Sequence, residues 1–415
     1  MRDGGAGVIE TIPPRTTRSW TPLFGVAWLG VWLAQLTPIQ LLLPAQIDRL
    51  APGDWLDSVI AFGVISGIAG LFALIAFPVA GALSDLTRSR FGRRRTWIVI
   101  GAGVFAAGLV LLGFQHDYLG IGIAWTITLV GFCVISSALT ALIGDLIPVS
   151  RRGTISAWIG GPQALGTILG LLLVTEVFTG VLDGYLAVAA VLVVLVIPFV
   201  ATTPDEPSTI RTRPSLHSLL AGMWIDPRQH PDFAFTLAGR VLVNLGNALG
   251  TTLLLYFLLY GLGDENAEDD LVLLSLVYLV FLIAATFLGG MLSDRLGRRR
   301  LFVGVAAVFQ GVAAAMLIVS PSLPTTFVGG ALLGLGYGCF LSVDQALATQ
   351  VLPDPESRGK DLGIMNVAMA VPQAMGPLVG AGLVAATGGF GAVFGAAAVL
   401  SIAGAVVVSR VKGVR

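Results

Sequence analysis

The sequence predicts an all-α membrane protein in which twelve transmembrane helices form two pseudo-symmetric six-helix bundles. Hydrophobic residues make up 55% of the 415-residue chain, charged residues make up 12%, and the mean hydropathy is +0.88. Charged residues are typically about a quarter of a soluble domain. The charges here fall in short clusters between apolar runs of roughly twenty residues, which is the length of helix that crosses about 30 Å of hydrocarbon.

Hydropathy divides the spans into two groups of six. In the amino-terminal bundle, residues 21–202, the expected spans are 21–46, 58–83, 96–114, 119–143, 154–178 and 184–202. In the carboxy-terminal bundle, residues 233–409, they are 233–260, 271–292, 301–320, 325–348, 361–386 and 389–409. The polar, Pro-rich stretch 203–232 is interpreted as a cytoplasmic linker between the bundles, and residues 1–20 and 410–415 as cytoplasmic tails.

The distribution of basic residues predicts the orientation in the membrane. With the amino terminus inside, all of the 24 Lys and Arg except Arg49 and Arg240 fall on the inner side. Cytoplasmic loops are enriched in Lys and Arg, so both termini are expected in the cytoplasm of a multi-pass plasma-membrane protein.

Two arginine-rich loops, Gly81 to Arg95 and Gly289 to Arg300, lie half a chain apart. Each places an Asp where a helix leaves the membrane, and that Asp can accept charge-assisted hydrogen bonds from Arg or from a helix amino terminus. Such contacts would hold helix ends together and would have to break when the inner side opens. Alternatively, the arginines only fix the topology and bind anionic lipid head groups. The candidate gating residues are Asp85, Arg93, Arg94, Asp145, Arg152, Asp294, Arg298, Arg299 and Arg358.

A second repeat indicates that the two halves arose by duplication. PQALGTILG in the fifth span matches PQAMGPLVG in the eleventh, at nearly the same offset that separates the two arginine-rich loops. Two independent motifs at one offset are typical of a transporter whose halves are related by an axis along the membrane normal.

These loops resemble the signature of the major facilitator superfamily. The matching residues are Gly81, Leu83, Asp85, Gly92, Arg93 and Arg94 in the first loop and Gly290, Leu292, Asp294, Gly297, Arg298 and Arg299 in the second. The longer first loop, with its Thr-Arg-Ser-Arg-Phe insertion, resembles the glycoside/pentoside/hexuronide cation symporters and the plant sucrose carriers. The resemblance implies alternating access and a sugar or glycoside as cargo.

Charged residues inside the spans are expected to mark the transport site, because each costs several kcal/mol unless it faces a partner or water. Arg240 and Asp344 are such residues, and an ion pair between them is one hypothesis; a purely structural pair is the other. Asn244 and Asn247 follow Arg240 by four and seven residues and so share its helix face. The remaining substrate or proton candidates are Gln35, Gln40, Gln163, Gln373 and Trp32, although amides also serve to bond helices together.

The sequence therefore predicts a proton-coupled secondary transporter, and Asp344 is the leading proton carrier. The sodium symporters of the resembling family place acids inside the second span, where this chain has none before Asp85. A proton-coupled exporter of drug-like or metabolite compounds, a passive facilitator and a transport-inactive receptor remain alternatives. We expect a monomer that contacts a small-molecule substrate and lipid. We expect no catalytic activity, cofactor, metal site or nucleic-acid partner, because the chain has no phosphate-binding loop and its three His lack metal-ligand spacing.

Overall fold

A computed structural model describes residues 19–50, 53–147, 149–205, 207, 226–351 and 358–411. Within these residues the secondary structure is helical and falls into twelve long segments. The amino-terminal half contains α1 (Trp20–Asp48), α2 (Trp55–Leu86), α3 (Arg93–Gly113), α4 (Tyr118–Leu146), α5 (Val149–Leu172, continued by a π-helical turn Leu173–Val177) and α6 (Val181–Thr202). The carboxy-terminal half contains α7 (Pro231–Thr252, continued by Leu254–Leu262), α8 (Ala267–Leu296), α9 (Arg299–Val319), α10 (Leu323–Gln350), α11 (Arg358–Thr387) and α12 (Gly391–Val408).

The lengths and compositions of these helices suit a membrane. Among the described residues, nine helices are long and apolar enough to cross a bilayer, and α7, which bends by 43°, is a tenth. The other two, α5 and α11, contain the shorter apolar stretches Gly161–Val177 and Val371–Thr387. The predicted fold class, an all-helical membrane protein, is confirmed.

The packing is the same in the two halves. In the first half α1 packs against α5 and α6, α4 packs against α2 and α3, and α3 packs against α6. The second half repeats these pairs: α7 packs against α11 and α12, α10 against α8 and α9, and α9 against α12. Small residues permit these close approaches. A Cβ on Gly101 would lie 2.5 Å from the backbone nitrogen of Ile135, and one on Gly338 would lie 2.1 Å from the carbonyl oxygen of Leu282.

Acidic residues gather at the end of the bundle where the even-numbered helices begin, which we call the acidic end. Asp54 caps α2 by accepting from the Asp57 nitrogen at 3.2 Å, and Asp117 caps α4 by accepting from the Gly120 nitrogen at 2.8 Å. Negative charge is favourable at helix amino termini, where the helix dipole is positive. The opposite end, where α3 and α9 begin, carries the two arginine-rich loops and is called the basic end.

The arginines of these loops lie partly inside helices. The sequence placed them before the helices, but α3 begins at Arg93 and α9 at Arg299. Both loop glycines have a positive φ, +97° at Gly92 and +59° at Gly297, which residues with a Cβ rarely adopt. These glycines therefore end the loops and let the next helix start at its arginines.

The two halves meet most closely from the acidic end to the middle of the bundle. There α2 packs against α11, and a Cβ on Gly63 would lie 2.2 Å from the Cβ of Ala381. The symmetry-related pair, α5 and α8, makes a much smaller contact. The interface between the halves is therefore asymmetric.

Hydrogen bonds and stacked rings close the acidic end across the two halves. The Tyr260 hydroxyl lies 2.7 Å from both carboxylate oxygens of Asp48, and the Tyr256 hydroxyl donates to the Pro44 carbonyl oxygen at 3.1 Å. The ring of Trp55 stacks on Tyr260 and on Phe390, with centroids 5.7 Å apart in each pair. We call Asp48, Trp55, Tyr256, Tyr260 and Phe390 the acidic-end clasp.

We predict that Tyr260→Phe shifts the protein toward a form with separated halves at the acidic end. The substitution removes the hydrogen bond to Asp48 and keeps the ring stack. A loss of about 1 kcal/mol changes the ratio of the two forms roughly fivefold. The ratio is measured by electron–electron spin distances between labels at Leu119 and Val319, which are 73% and 85% exposed and lie at the acidic end of opposite halves.

Tyr185→Phe is the matched control for that substitution. The Tyr185 hydroxyl is buried within the amino-terminal half and makes no hydrogen bond to the described residues. Its removal should leave the distance distribution unchanged. An equal effect of the two variants would contradict a specific role for the contact between Tyr260 and Asp48.

Candidate transport site

A buried ion pair joins α7 to α10. The Arg240 Nε lies 3.2 Å from the Asp344 Oδ2, and the two side chains are only 3% and 5% exposed. An uncompensated charge at this depth costs several kcal/mol, so each partner stabilises the charged form of the other. The structure thus brings together the two intramembrane charges that the sequence singled out.

Polar side chains of α7 and α10 adjoin this pair. Asn244 donates to the Arg240 carbonyl oxygen at 2.8 Å and accepts from the Tyr337 hydroxyl at 2.9 Å. Gln373, which is exposed, lies near the Tyr337 hydroxyl. Asn247 lies one turn further on, with its Nδ2 3.4 Å from the Tyr278 hydroxyl. The result is a polar ladder from Gln373 through Tyr337 and Asn244 to the buried pair.

The candidates in the amino-terminal half are one indole and three amides. Trp32 donates from Nε1 to the Ile159 carbonyl oxygen on α5 at 3.1 Å, and its ring lies 5.6 Å from that of Trp28. Gln35 is buried, and its Oε1 makes no hydrogen bond to the described residues. The other two amide candidates, Gln40 and Gln163, are half-buried. Because its indole N–H is already used, Trp32 offers only its ring to a ligand.

The first arginine-rich loop is held by a carboxylate network. Arg94 is buried and binds Asp145 through Nε at 2.8 Å, and it also forms an ion pair with Asp85 and hydrogen-bonds to Ser84. Arg93 binds the second Asp145 oxygen at 2.8 Å. These contacts join α2, α3 and α4 of one half, so separating the halves would not break them. The network stabilises the basic end of the amino-terminal half as a unit.

Asp205 completes this network from just beyond the end of α6. Its Oδ2 accepts from the backbone nitrogens of Arg94 at 2.6 Å and Arg95 at 2.7 Å, so it caps α3. A Cβ on Gly92 would lie 2.3 Å from the same carboxylate oxygen, and only glycine leaves room for the cap.

The structure describes the side chains of only some of the remaining gating candidates. The side chains of Arg152, Asp294 and Arg358 lie outside the described residues. Arg298 is exposed and Arg299 is half-buried at the start of α9. The gating role of these residues stays a prediction.

Sequence reasoning missed several residues of the site and its frame. Tyr337 lies seven residues before Asp344, on the same helix face, and that spacing could have identified it. The sequence analysis assigned Asp205 to the linker. No local sequence pattern indicated that Asp48 and Tyr260 would contact each other. An open cleft of about 290 Å³ lies beside the clasp and is lined in part by Trp55 and Phe257. Neither Arg240 nor Asp344 lines this cleft.

Two matched six-helix halves of membrane-spanning length, with charges buried between helices, define a multi-pass membrane transporter. The sequence matches the family model of the Major Facilitator Superfamily over residues 54–284 and again over 240–414. The chain belongs to this superfamily, whose members are transporters.

Relatives support the same class, and a solved structure supports the fold. The chain is 26% identical over 370 residues to the fujikurins efflux protein of Gibberella fujikuroi, covering 86% of this chain and 74% of that protein. It is 26% identical over 267 residues to the anhydromuropeptide permease of Escherichia coli K12, covering 62% of this chain and 52% of the permease. A crystal structure of a POT family transporter with a thioalcohol-conjugated peptide superposes with a TM-score of 0.73 at 11% identity, covering 94% and 95% of the two chains. At that identity the structural likeness shows the fold.

We predict that Asp205→Ala lowers the thermal stability of the purified protein. The variant loses two charge-assisted hydrogen bonds at an arginine-rich helix start, and a lost helix cap costs about 1–2 kcal/mol. The melting temperature in detergent is the measurement. Asp54→Ala, which removes a cap with one hydrogen bond of 3.2 Å at the exposed start of α2, is the control and should have a smaller effect. Equal shifts for the two variants would contradict the role given to Asp205.

Proposed function

We propose that this protein is a proton-coupled secondary transporter that moves a small organic solute, with a sugar or glycoside as the first candidate. The observation that carries the proposal is the buried ion pair of Arg240 and Asp344 between α7 and α10. Its two halves would expose the site alternately to the two sides of the membrane. The positive-inside pattern supports cytoplasmic termini and a plasma-membrane location.

Asp344 is the proposed proton carrier. Arg240 faces it from α7, and Tyr337 is the titratable neighbour on its own helix. The core around this part of α10 contains apolar residues of α8, α9 and α12, among them Ala285, Phe302 and Val408, together with the titratable Tyr278 of α8. The first turns of α11 have side chains outside the described residues. Protonation of Asp344 removes the negative charge that lies beside Arg240, and this would link proton binding to a rearrangement of the site.

The choice of cargo rests on the polar ladder and on the first loop. Hydroxyl and amide groups, as on Tyr337, Asn244 and Gln373, both donate and accept, which suits a polyhydroxylated ligand. The long first loop, with its resemblance to the glycoside/pentoside/hexuronide cation symporters, supports the same class. The relative named as an anhydromuropeptide permease fits an uptake role.

Export of drug-like or other amphipathic compounds is the second candidate. The stacked rings of Trp28 and Trp32 favour it, as do relatives named for efflux and multidrug resistance. Uptake of labelled sugars into proteoliposomes, with and without an imposed pH gradient, separates the two. Absence of any sugar flux, together with drug-dependent proton release, would replace the first candidate by the second. Sugar flux that ignores the gradient would indicate a passive facilitator, and no flux of either class would favour a transport-inactive receptor.

We predict that Asp344→Asn abolishes accumulation driven by a pH gradient and spares exchange of cargo between the two sides. Asparagine keeps the size of the side chain but cannot bind and release a proton during the transport cycle. Counterflow and gradient-driven uptake are measured on the same proteoliposomes. Asp269→Asn makes the same chemical change at an exposed position of the acidic end and should leave both unchanged. Unaltered accumulation in Asp344→Asn would remove this residue from the mechanism.

A further inference from the structure

We infer that the cleft beside the acidic-end clasp binds a small, soluble organic ammonium ion. The inference goes beyond the proposed function, because none of the residues that line this cleft belongs to the ion pair or to the polar ladder. Its basis is the aromatic wall of the cleft, the negative charge at this end of the bundle and the open space beside a glycine-rich turn.

Aromatic rings form much of the wall of the cleft, which is lined by Trp55, Phe257, Tyr260, Phe390 and Phe394 among others. The ring of Trp55 stacks on Tyr260 and on Phe390 with centroids 5.7 Å apart. Stacked rings at this separation are offset, so part of each face stays uncovered. Ring faces attract cations that lie within about 6 Å of the centroid, and cages of aromatic rings recognise quaternary ammonium groups. The wall of the cleft therefore suits an organic cation.

Negative charge surrounds these rings. The Tyr260 hydroxyl donates to Asp48 at 2.7 Å, which makes the face of the Tyr260 ring more negative, and Asp54 directly precedes Trp55 in the chain. Among the described residues, the acidic end carries eleven carboxylate side chains and one arginine, Arg49. A field of this sign attracts cations and repels anions. It therefore favours a positively charged ligand over a neutral one of the same shape.

Glycines keep another part of the cleft open. Gly388 ends α11 with a φ of +70°, and Gly389 and Gly391 follow it along the cleft. A Cβ on any of the three would meet no atom within 4 Å. The volume of about 290 Å³ lies near the lower end of the range for small-molecule pockets, which suits a small ammonium compound.

The position of Trp55 would let the ligand contact both halves of the protein. Trp55 lies at the start of α2, whereas the other described residues that line the cleft belong to the carboxy-terminal half. A cation in the cleft contacts both halves while the clasp is closed, and it loses Trp55 when the halves separate. A ligand shifts an equilibrium toward the form that it binds more tightly, so binding would favour the closed acidic end.

The test compares ammonium ions with neutral isosteres on the purified full chain in a maltoside detergent, which has no ammonium group. The pairs are choline with dimethylbutanol and hydroxyphenyltrimethylammonium with tert-butylphenol, in each of which carbon replaces the quaternary nitrogen. We expect the ammonium member of at least one pair to bind roughly tenfold more tightly than its isostere in calorimetry. Equal affinity within both pairs, tighter binding of the neutral probes, or no binding of either ammonium ion would overturn the inference.

Protection of an introduced thiol shows whether binding takes place in the cleft. Ile318 lines the cleft and is 45% exposed, whereas its neighbour Val319 is 85% exposed and does not line it. The natural cysteines, Cys133 and Cys339, are buried and should react slowly. The bound ammonium probe should slow the reaction of N-ethylmaleimide with Ile318→Cys in proportion to its occupancy and leave the reaction of Val319→Cys unchanged. An unchanged rate at Ile318→Cys with the probe bound would overturn the assignment to this cleft.

A pair of ring substitutions tests the contribution of the aromatic wall. Trp55→Leu should weaken binding of the ammonium probe roughly fivefold or more and change binding of the neutral isostere little. Phe114→Leu removes a ring that is 56% exposed at the same end of the bundle but does not line the cleft, and it should leave both affinities unchanged. Full ammonium affinity in Trp55→Leu, or an equal loss in the two variants, would contradict a cation held against Trp55.

Discussion

The absence of water in the hydrocarbon region constrains every charged and polar group of this structure. Backbone groups are satisfied within helices, and buried charges must be paired. Among the described residues two arginines are buried, Arg94 and Arg240, and each contacts a carboxylate. All the other basic residues except Arg49 are expected in the arginine-rich loops, linker and tails of one side. Single charged side chains can therefore lie at the two ends of the bundle, whereas a charged side chain in the membrane interior needs a partner of opposite charge.

The same electrostatics make the two ends of the bundle mechanically different. Acidic residues at the acidic end lie at helix amino termini, where the helix dipole favours them. Arginines at the start of α3 face a dipole of the wrong sign, and Asp205 offsets this by accepting from the first backbone nitrogens. Three helices are therefore tied together at the basic end of the amino-terminal half. The clasp at the acidic end instead joins the two halves, through the buried hydrogen bond of Tyr256 to Pro44 and the exposed contact of Tyr260 with Asp48.

Local patterns predicted much of the fold and part of the site. Continuous hydrophobic runs identified the spans, and the spacing of Arg240 and Asn244 placed them on one helix face, as the structure shows. Contacts between distant segments could not be predicted in this way. Tyr337 meets Asn244 across 93 residues, Asp205 caps α3 across 111, and Tyr260 reaches Asp48 across 212. Such pairs depend on how helices are arranged, and no short-range periodicity encodes that arrangement.

Duplication gave the two halves one packing scheme, yet their chemistry differs. The position that approximately corresponds to Asp344 in α4 is Ala138, so the amino-terminal half lacks the matching acid. That half presents indole rings and amides, while the carboxy-terminal half presents an ion pair and a ladder of hydroxyl and amide groups. A ligand held between them would meet indole rings and amides on one side and the residues of the ion pair and its polar neighbours on the other. In the proposed mechanism only Asp344 changes its charge, so protonation would act on the carboxy-terminal half alone, and this asymmetry would let a local proton transfer alter the balance between the two halves.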